Sequence, residues 1–580
     1  MSIFNILSLI GGLCLFLFGM NIMGNSLERR AGGSLKTLLG KLTNNKGKGL
    51  LTGLLVTAVI QSSSATTVMV VGFVNSGLMT LKQSINVIMG SNIGTTVTAW
   101  ILSLAGIDSD NVFIRLLKPS SFTPVLALIG IILFMFCKKD TKKDVGMILL
   151  GFATLMFGMD AMSSAVSVLK DIPEFQQMFL IFTNPILGVL AGAILTAIIQ
   201  SSSASVGILQ ALASTGQVTY GAAIPIVMGQ NIGTCVTALI SSIGANKNAK
   251  RAAMVHLSFN VIGAIVWLIV YCVLKAIFNP MILNSSASLL GISIVHTVFN
   301  ILCTLLMLPL GNVLEKLVCI IIPDSKVPEK VPELDDRLLV TPSVALARCR
   351  ELMCEMADAS AYSLQDSIKS IGNYSWELSE RVKELENRTD ELEDMLGTYL
   401  VKISSQSLSA EDSENAASYL KLIGDFERIS DHALNIIECT SEMDEKKIVF
   451  SEDALRELKV MTDALEKIAE MATSSFKTDD YDLAKSVEPL EELIDNLREK
   501  LFVNHIRRVQ NNECSIETGY VWQDLLTNFE RVSDHYSNVA VVVMDKISGD
   551  MNMHKRLEDL REGNEEFRMQ YKEYSKQFRL

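Results

Sequence analysis

Uncharged segments of membrane-spanning length follow one another through the first half of the chain and stop before the second half. Each of the following runs lacks Asp, Glu, Lys and Arg: 1–27, 49–81, 83–107, 119–137, 175–246, 252–274 and 276–314. A helix needs about 20 apolar residues to cross a bilayer. The pattern therefore predicts an all-α, multi-pass domain in the cell membrane. Arg29 and Arg30 follow the first run and no basic residue precedes it, so we expect a retained span and not a cleaved signal peptide.

The apolar run 49–81 keeps a polar centre, TAVIQSSSATT, in which three serines follow Gln61. Non-helical backbone at membrane depth persists only where protein or a water-filled cavity satisfies its polar groups. We expect the helix to break at the serines. The segment would then enter and leave on one face of the membrane, as a re-entrant hairpin.

Three motifs recur along this half, and all three recur at the same spacing. FGM at 18–20 returns at 157–159, QSSSA at 61–65 returns at 200–204, and GSNIGTTVTA at 90–99 returns as GQNIGTCVTA at 229–238. Three matches in register indicate a duplicated unit. The repeats cover about 1–138 and 139–278, and a final span near 288–312 follows them.

The charges of matching loops predict that the two repeats are inverted. The stretch 28–48 holds six basic residues and one acidic residue, whereas its counterpart at 169–184 holds Lys170, Asp171 and Glu174. By the positive-inside rule, such loops lie on opposite faces, as in inverted-repeat transporters. We expect the basic stretches 28–48, 138–144 and 246–251 to be cytoplasmic and 106–120, 169–184 and 275–288 to be external. The N-terminus would then lie outside and the C-terminal half inside.

The second half has the polar and apolar alternation of soluble helices from residue 343 onward. Four prolines, Pro323, Pro328, Pro332 and Pro342, mark a linker at 316–342. DFERISDHALNI at 425–436 returns as NFERVSDHYSNV at 528–539, which predicts two three-helix bundles in tandem. Residues 549–580 form a charged tail.

Each copy in the second half carries two acids four residues apart, Glu427 with Asp431 and Glu530 with Asp534. Like charges at this spacing cost a helix a few tenths of a kcal/mol. A shared divalent cation would offset this cost, and carboxylates suit Mg, Mn or Fe. The alternative is a solvated helix face on which Arg428 or Arg531 bridges the acids.

Composition excludes several classes of protein. The net charge of −12 argues against a nucleic-acid partner. The ten cysteines stand singly without a CxxC pair, which is typical of packing residues. A serine hydrolase needs a base, but the charged residues nearest the first serine motif are Lys48 and Lys82. We therefore predict a secondary transporter and not an enzyme.

The two serine motifs suggest an ion site. Helix N-termini attract anions, and hydroxyl and carbonyl oxygens ligate hard cations such as Na⁺. Because 175–246 contains no Lys or Arg, a multiply charged anion would need bound cations as its countercharge. This favours a cation-coupled anion carrier. The alternative is structural, since serine in a membrane helix often bonds the carbonyl four residues earlier or packs a helix seam.

The paired QSSS motifs, each followed by NIGT, resemble the type II sodium–phosphate cotransporters over residues 1–315. The resemblance implies two inverted repeats, a central site for inorganic phosphate, and coupling to Na⁺. The positions that it assigns to phosphate and sodium are Gln61, Ser62, Ser63, Ser64, Gln200, Ser201, Ser202, Ser203, Asn92, Thr95, Asn231 and Thr234.

Residues 343–548 resemble the PhoU family of phosphate-uptake regulators, on the strength of the Glu-x-x-x-Asp motifs. This resemblance implies a cytoplasmic PhoU-like domain that regulates transport, with a divalent metal on Glu427, Asp431, Glu530 and Asp534. It also makes the domain the expected contact for a homo-oligomer or for a phosphate-signalling partner.

The sequence thus predicts sodium-coupled phosphate transport with a role in phosphate homeostasis. Three alternatives remain open: a membrane-anchored phosphate sensor, a carrier of another oxyanion, and an exporter of phosphate.

Overall fold

The computed structural model of the chain describes residues 3–41, 45–106, 119–167, 181–278, 280–324, 333–511, 513–548 and 565–580. They fall into two compact units, Met1–Ala345 and Leu346–Leu580. Within these described ranges the units are built from helices and contain no β-strand. The prediction of an all-α protein is confirmed.

Twelve α-helices make up the described part of the first unit. In chain order they are α1 Ile3–Lys41, α2 Lys46–Ile60, α3 Ser63–Asn75, α4 Leu81–Ser103, α5 Pro119–Phe136, α6 Asp140–Ser167, α7 Pro185–Ile199, α8 Ser202–Ala213, α9 Tyr220–Ser241, α10 Lys247–Phe278, α11 Leu289–Met307 and α12 Gly311–Ile321. A 3₁₀ turn, Asp336–Val340, closes the unit. The predicted loop at 28–48 is largely helical, because α1 continues to Lys41. Most of its counterpart at 169–184 lies outside the described residues.

The equivalent helices α1 and α6 pack antiparallel through small residues. A Cβ on Gly19 would lie 2.3 Å from Leu155 N, and a Cβ on Gly158 would lie 2.3 Å from Phe16 N. Gly12 meets Gly158 while Gly19 meets Gly151, so one helix ascends as the other descends. Close backbone approach through glycine is the usual way to pack helices in lipid.

Helices α2 and α4 run parallel to each other, with α3 between them in the chain. A Cβ on Gly90 would lie 1.9 Å from Leu50 O, and one on Gly94 would lie 2.6 Å from Leu54 O. The second repeat reproduces this crossing in α7 and α9, where a Cβ on Gly229 would lie 1.9 Å from Val189 O. Helix α3 has 13 residues, which makes about 20 Å at about 1.5 Å per residue. That length is too short for a bilayer core of about 30 Å.

Among the residues that the structure describes, six helices are long and apolar enough to cross a membrane: those beginning at Ile3, Leu81, Asp140, Tyr220, Lys247 and Leu289. The charge-free run 119–137 corresponds to α5, which is shorter than these six helices. The apolar residues that many of these helices expose, such as Ile10, Phe134 and Ile269, suit contact with lipid.

The second unit contains two sets of three long helices. They are α13 Pro342–Ser370, α14 Trp376–Ser404, α15 Ala410–Lys446, α16 Glu452–Thr478, α17 Glu488–Gln510 and α18 Ile516–Ser548, with one short helix, Tyr481–Lys485, before α17. The core contains fully buried aromatic side chains, among them Phe426, Phe529 and Trp522. The last helix, α19 Glu565–Gln577, belongs to the predicted charged tail, yet it buries Phe567 and packs against α17.

Candidate functional site

Both QSSS motifs line a single cavity of about 390 Å³ in the first unit. The lining residues are Leu17, Met20, Asn21, Gly24, Asn25, Glu28, Ile60, Gln61, Ser62, Ser63, Ser64, Ala65, Gln200, Ser201, Ser202, Ser203 and Val340. The fold therefore brings the two copies of the motif together, although they lie far apart in the sequence, at 61–64 and 200–203.

Each motif is a break between two helices. Gln61 and Gln200 end α2 and α7 in the left-handed conformation, with φ of 58° and 59°. Ser62 and Ser201 then begin α3 and α8 as N-caps, and their hydroxyls accept hydrogen bonds from Ala65 N and Ala204 N. The predicted helix breaks are present in both repeats. A left-handed non-glycine residue costs about 1 kcal/mol or more and is often found at functional sites.

The two breaks place the N-termini of α3 and α8 at the same cavity. The unpaired N–H groups of a first helical turn and the helix dipole together favour an anion at this end. Ser64 Oγ donates to Gln200 O over 3.5 Å, which joins one motif to the other. Two positive helix ends and up to six hydroxyl groups can thus surround a single oxyanion.

The two glutamines differ in their surroundings. Gln61 is buried, its Oε1 accepts from Thr98 Oγ1 at 2.9 Å, and its Nε2 donates to Ala58 O. Gln200 is exposed to the cavity. Gln61 is therefore held by protein, whereas Gln200 can turn toward a ligand.

The described lining of the cavity contains no basic side chain. Of the described residues that line it, Glu28 is charged and none is Lys or Arg. Glu28 shares one face of α1 with Asn21 and Asn25, whose side chains are linked by a 3.0 Å hydrogen bond. Sequence reasoning missed these three residues. Their i, i+4, i+7 spacing at the end of an apolar span is the signal that marks them.

The NIGT residues lie away from the cavity lining. Asn92 Nδ2 and Asn231 Nδ2 donate to the carbonyl groups of the residues four positions earlier, at 3.2 and 3.0 Å. Thr95 and Thr234 do the same through their hydroxyls, at 3.0 and 2.9 Å. All four are buried in α4 and α9. In this structure they behave as the structural alternative describes, and they do not line the cavity.

One wall of the cavity comes from the segment that precedes the second unit. Val340, at the end of the 3₁₀ turn, lines the cavity, and Leu338 is fully buried over Gly72 of α3. Asp335 accepts a hydrogen bond from Asn75 Nδ2 at the C-terminal end of α3. Part of the predicted linker therefore packs on the helix whose other end carries a serine motif.

The predicted metal ligands of the second unit do not form one cluster. Arg428 Nη1 lies 3.3 Å from Asp431, and its Nε lies 3.5 Å from Glu427, so the alternative of an arginine bridge holds here. Glu530 pairs with Arg498 at 3.4 Å. Asp534 lies 3.8 Å from Arg531 Nη1, as the alternative of an arginine bridge describes, and it also has acidic neighbours.

Asp534 lies with Glu491 and Asp495 of α17, and one carboxylate oxygen from each falls within 4.8 Å of the others. In the first bundle, burial raises the pKa of Glu427, and Asp431 and Asp390 raise it further. Sequence reasoning missed the acids that the middle helices contribute, Glu491 and Asp495 among them. Their own Glu-x-x-x-Asp spacing was the available signal.

Comparison with known proteins identifies both units. Residues 15–164 and 173–303 match the Na⁺/Pi-cotransporter family, and residues 353–440 and 458–543 match the PhoU domain. The chain belongs to the Na⁺/Pi-cotransporter family and carries a C-terminal PhoU domain. Each match is divided in two, in agreement with the repeats in each half. The protein is therefore a membrane protein of a phosphate-transport family.

Several proteins resemble the chain over different parts. YjbB of Salmonella typhimurium, provisionally named an inorganic phosphate export protein, is 27% identical over 553 residues, which cover 93% of this chain and 98% of YjbB. Human sodium-dependent phosphate transport protein 2B is 34% identical over 149 residues, 23% of this chain and 22% of that protein. The crystal structure of PhoU from Pseudomonas aeruginosa aligns with a TM-score of 0.34 and 21% identity, over 35% of this chain and 97% of that one.

Proposed function

We propose that the protein carries inorganic phosphate across the cytoplasmic membrane in a sodium-coupled cycle. The observation that supports this most directly is the cavity lined by all eight QSSS residues. Phosphate would lie between the N-termini of α3 and α8 and accept hydrogen bonds from backbone N–H groups and serine hydroxyls. Ser62 and Ser201 also cap these helices, so they hold the N–H groups in place.

The missing fixed positive charge supports coupling to cations. A divalent phosphate in this cavity would meet no basic side chain that balances its charge, because the described lining residues include no Lys or Arg. Bound Na⁺ ions would supply the balancing positive charge. Since coupling is reciprocal, each ligand then tightens the binding of the other by the same factor.

The repeat geometry supports alternating access. We infer that the repeats are inverted in the membrane, because the equivalent helices α1 and α6 pack antiparallel. We further infer that α2–α3 and α7–α8 are re-entrant hairpins, since α2 and α4 run parallel and α3 is too short to span. Interrupted helices that meet at the interface of two inverted repeats form the substrate site of many carriers, and access then alternates around that site.

The PhoU domain is proposed to be cytoplasmic and to regulate transport through the 3₁₀ turn. Helix α13 begins at Pro342, two residues after Val340, the last residue of this turn. A displacement of α13 would therefore pull on Val340 at the cavity and on Leu338 beneath α3. We also propose that the domain binds a divalent cation. Asp534, Glu491 and Asp495 are the best-placed ligands, and Glu427 and Asp431 offer a second position.

Flux measured in proteoliposomes tests the proposal. Purified full-length protein should accumulate radiolabelled phosphate when Na⁺ is high outside, and should release preloaded phosphate when Na⁺ is high inside. Choline in place of Na⁺ is the control. Equal flux in Na⁺ and choline would refute sodium coupling, and a lack of phosphate flux would favour a membrane-anchored sensor. Faster flux of sulfate than of phosphate would indicate a carrier of another oxyanion.

The direction in the cell depends on the gradients, because a coupled carrier runs either way. One relative is named for export and another for sodium-dependent transport. The release of preloaded phosphate from proteoliposomes with high internal Na⁺ measures export directly.

A further inference from the structure

A buried triad of hydroxyl groups stands behind the first QSSS motif. Thr57 Oγ1 lies 3.1 Å from Thr66 Oγ1 and 2.8 Å from Ser91 Oγ. Thr57 comes from α2, Thr66 from α3 and Ser91 from α4, and all three are fully buried or nearly so. The triad closes the space between the three helices with internal hydrogen bonds.

The second repeat places different side chains at the same positions. The alignment that superimposes the two QSSSA motifs also pairs Thr57, Thr66 and Ser91 with Thr196, Ser205 and Gln230. The three residues of the second repeat are completely buried. Within the described part of the chain, Thr196 Oγ1, Ser205 Oγ, Gln230 Oε1 and Gln230 Nε2 have no hydrogen-bond partner.

The helix crossings show that these side chains occupy equivalent places. A Cβ on Gly94 would lie 2.8 Å from Thr57 Cβ, and one on Gly233 would lie 2.7 Å from Thr196 Cβ. Likewise, Ser91 N and Gln230 N lie 2.9 and 3.0 Å from the Cβ positions of Gly53 and Gly192. The two repeats therefore have the same backbone here, and only the second one leaves its polar atoms unsatisfied.

Such a set of atoms can hold a ligand. An unpaired buried polar group costs about 1–3 kcal/mol, and native proteins pair nearly all of them. Two hydroxyl oxygens and one amide oxygen are neutral, hard ligands. They suit a monovalent cation better than Mg²⁺ or Ca²⁺, whose sites normally include carboxylates. No charged residue occurs between 175 and 246, so a cation here meets no fixed positive charge from this segment.

We propose that Thr196, Ser205 and Gln230 bind one dehydrated Na⁺ ion directly behind the second QSSS motif. This inference rests on the proposed sodium coupling and assigns one of its ions to a place outside the cavity. Thr196 O accepts from Gln200 N at 2.7 Å, and Ser201 O accepts from Ser205 N at 3.1 Å. The ion would thus fix the backbone that presents Gln200 and Ser201 to phosphate, while the first repeat relies on its hydroxyl triad for the same task.

Exchange of the triad between repeats tests the site. The double variant Ser205→Thr/Gln230→Ser gives the second repeat the side chains that satisfy one another in the first. Thr196→Val removes one ligand from the site and leaves a side chain of similar shape. Thr66→Ser is the matched control. It exchanges the same two residue types at the first-repeat counterpart of Ser205 and leaves the second repeat unchanged. The melting temperature of each full-length protein is measured in NaCl and in choline chloride of equal ionic strength.

The expected result is a smaller Na⁺-dependent rise in melting temperature for the double variant and for Thr196→Val than for wild type and Thr66→Ser. An equal Na⁺-dependent rise in melting temperature in all four proteins would overturn the site, and this is the result expected if a buried water occupies it. The absence of any rise in wild type would also overturn the site. The phosphate flux of the wild-type protein, measured in Na⁺ and in choline, tests the proposed function separately. Flux that requires Na⁺ together with four equal rises would contradict this site alone.

Discussion

At the scale of single residues, the serines that cap helices at the cavity have two roles. Ser62 and Ser201 accept backbone hydrogen bonds as N-caps, and they also line the cavity. The loss of an N-cap usually costs about 1 kcal/mol. The loss of a hydroxyl that binds phosphate would instead lower transport. A comparison of N-cap serines inside and outside the cavity therefore separates the two roles.

We expect Ser62→Ala and Ser201→Ala each to abolish most phosphate uptake and to lower stability by about 1 kcal/mol. Ser288→Ala is the control. Ser288 caps α11 by accepting from Gly291 N at 3.0 Å, and it is not part of the cavity lining. This variant should lose similar stability and keep transport. The measurements are uptake into proteoliposomes and thermal unfolding. Full uptake by both cavity variants would remove the hairpins from the mechanism.

The acidic clusters of the PhoU domain predict a dependence of stability on pH. Burial and Asp431 raise the pKa of Glu427, and burial and Glu530 raise that of Asp534. A carboxyl group with a raised pKa binds more protons in the folded state, so its stability contribution is present at low pH. That contribution is lost as the pH rises from about 4 through the folded-state pKa.

We therefore expect the melting temperature of a 346–580 fragment to fall as the pH rises from about 4 through the raised folded-state pKa values when divalent cations are absent, and Mn²⁺ to reverse the fall. Glu427→Gln and Asp534→Asn should each flatten the pH profile. Glu445→Gln, which removes an exposed charge of α15 outside the cluster, should retain the wild-type profile. Identical profiles in all four proteins, with and without Mn²⁺, would exclude a cation site.

At the scale of helices, glycine contacts set the register that brings the two motifs together. Helices α1 and α6 approach through Gly12, Gly19, Gly151 and Gly158, where any side chain would meet backbone. The crossings of α2 with α4 and of α7 with α9 use the same device. The positions of the cavity walls thus depend on the absence of side chains at these points.

Gly19→Ala should be strongly destabilising, because its Cβ would lie 2.3 Å from Leu155 N and would force α1 away from α6. Gly11→Ala is the matched control on the same helix, since a Cβ there meets nothing within 4 Å. That change should be neutral or stabilising by up to about 1 kcal/mol, from helix propensity. Thermal unfolding of the purified proteins checks both, and equal melting temperatures would contradict the packing.

At the scale of the whole molecule, the proposed transport cycle makes two testable claims: that the repeats are inverted, and that the 3₁₀ turn before the PhoU domain affects the rate. Cysteine labelling tests the first claim, and transport rates test the second.

Inversion predicts which positions face the cytoplasm. In a background from which accessible native cysteines have been removed, Lys142→Cys should be labelled only from inside and Ser285→Cys only from outside intact cells. Both positions are exposed. Another predicted external position, Ser109, lies outside the described residues. Labelling of both variants from the same side would be incompatible with the proposed topology.

The 3₁₀ turn predicts how the PhoU domain affects transport. Truncation after Asp324 should preserve Na⁺-dependent phosphate flux and change its rate, because the QSSS motifs are retained while Val340 leaves the cavity wall. Leu338→Ala in the full chain should shift the rate in the same direction, since Leu338 is fully buried over α3. Initial rates in proteoliposomes check both. A truncated protein that inserts but carries no phosphate would make the domain part of the carrier.

The sequence alone determined the architecture of this protein. Charge-free runs, the constant spacing between repeated motifs and the repeated acidic pairs predicted membrane helices, duplication and tandem bundles, since hydrophobic periodicity and repetition are local properties of a chain. The helix breaks at Gln61 and Gln200 were also foreseeable, because polar residues interrupt an apolar run there. The resemblance of the QSSS motifs to a known family supplied the assignment of a phosphate site.

Only the tertiary structure decided which residues share a space. It placed Glu28, Asn21 and Val340 at the cavity and moved Asn92 and Asn231 away from it, since a helix has several faces and packing chooses the one that is lined. It joined Asp534 to acids of a different helix. It also revealed that Gln230 and its neighbours lack the hydrogen bonds that their counterparts make. Such differences arise from distances between segments far apart in the chain, which sequence periodicity does not encode.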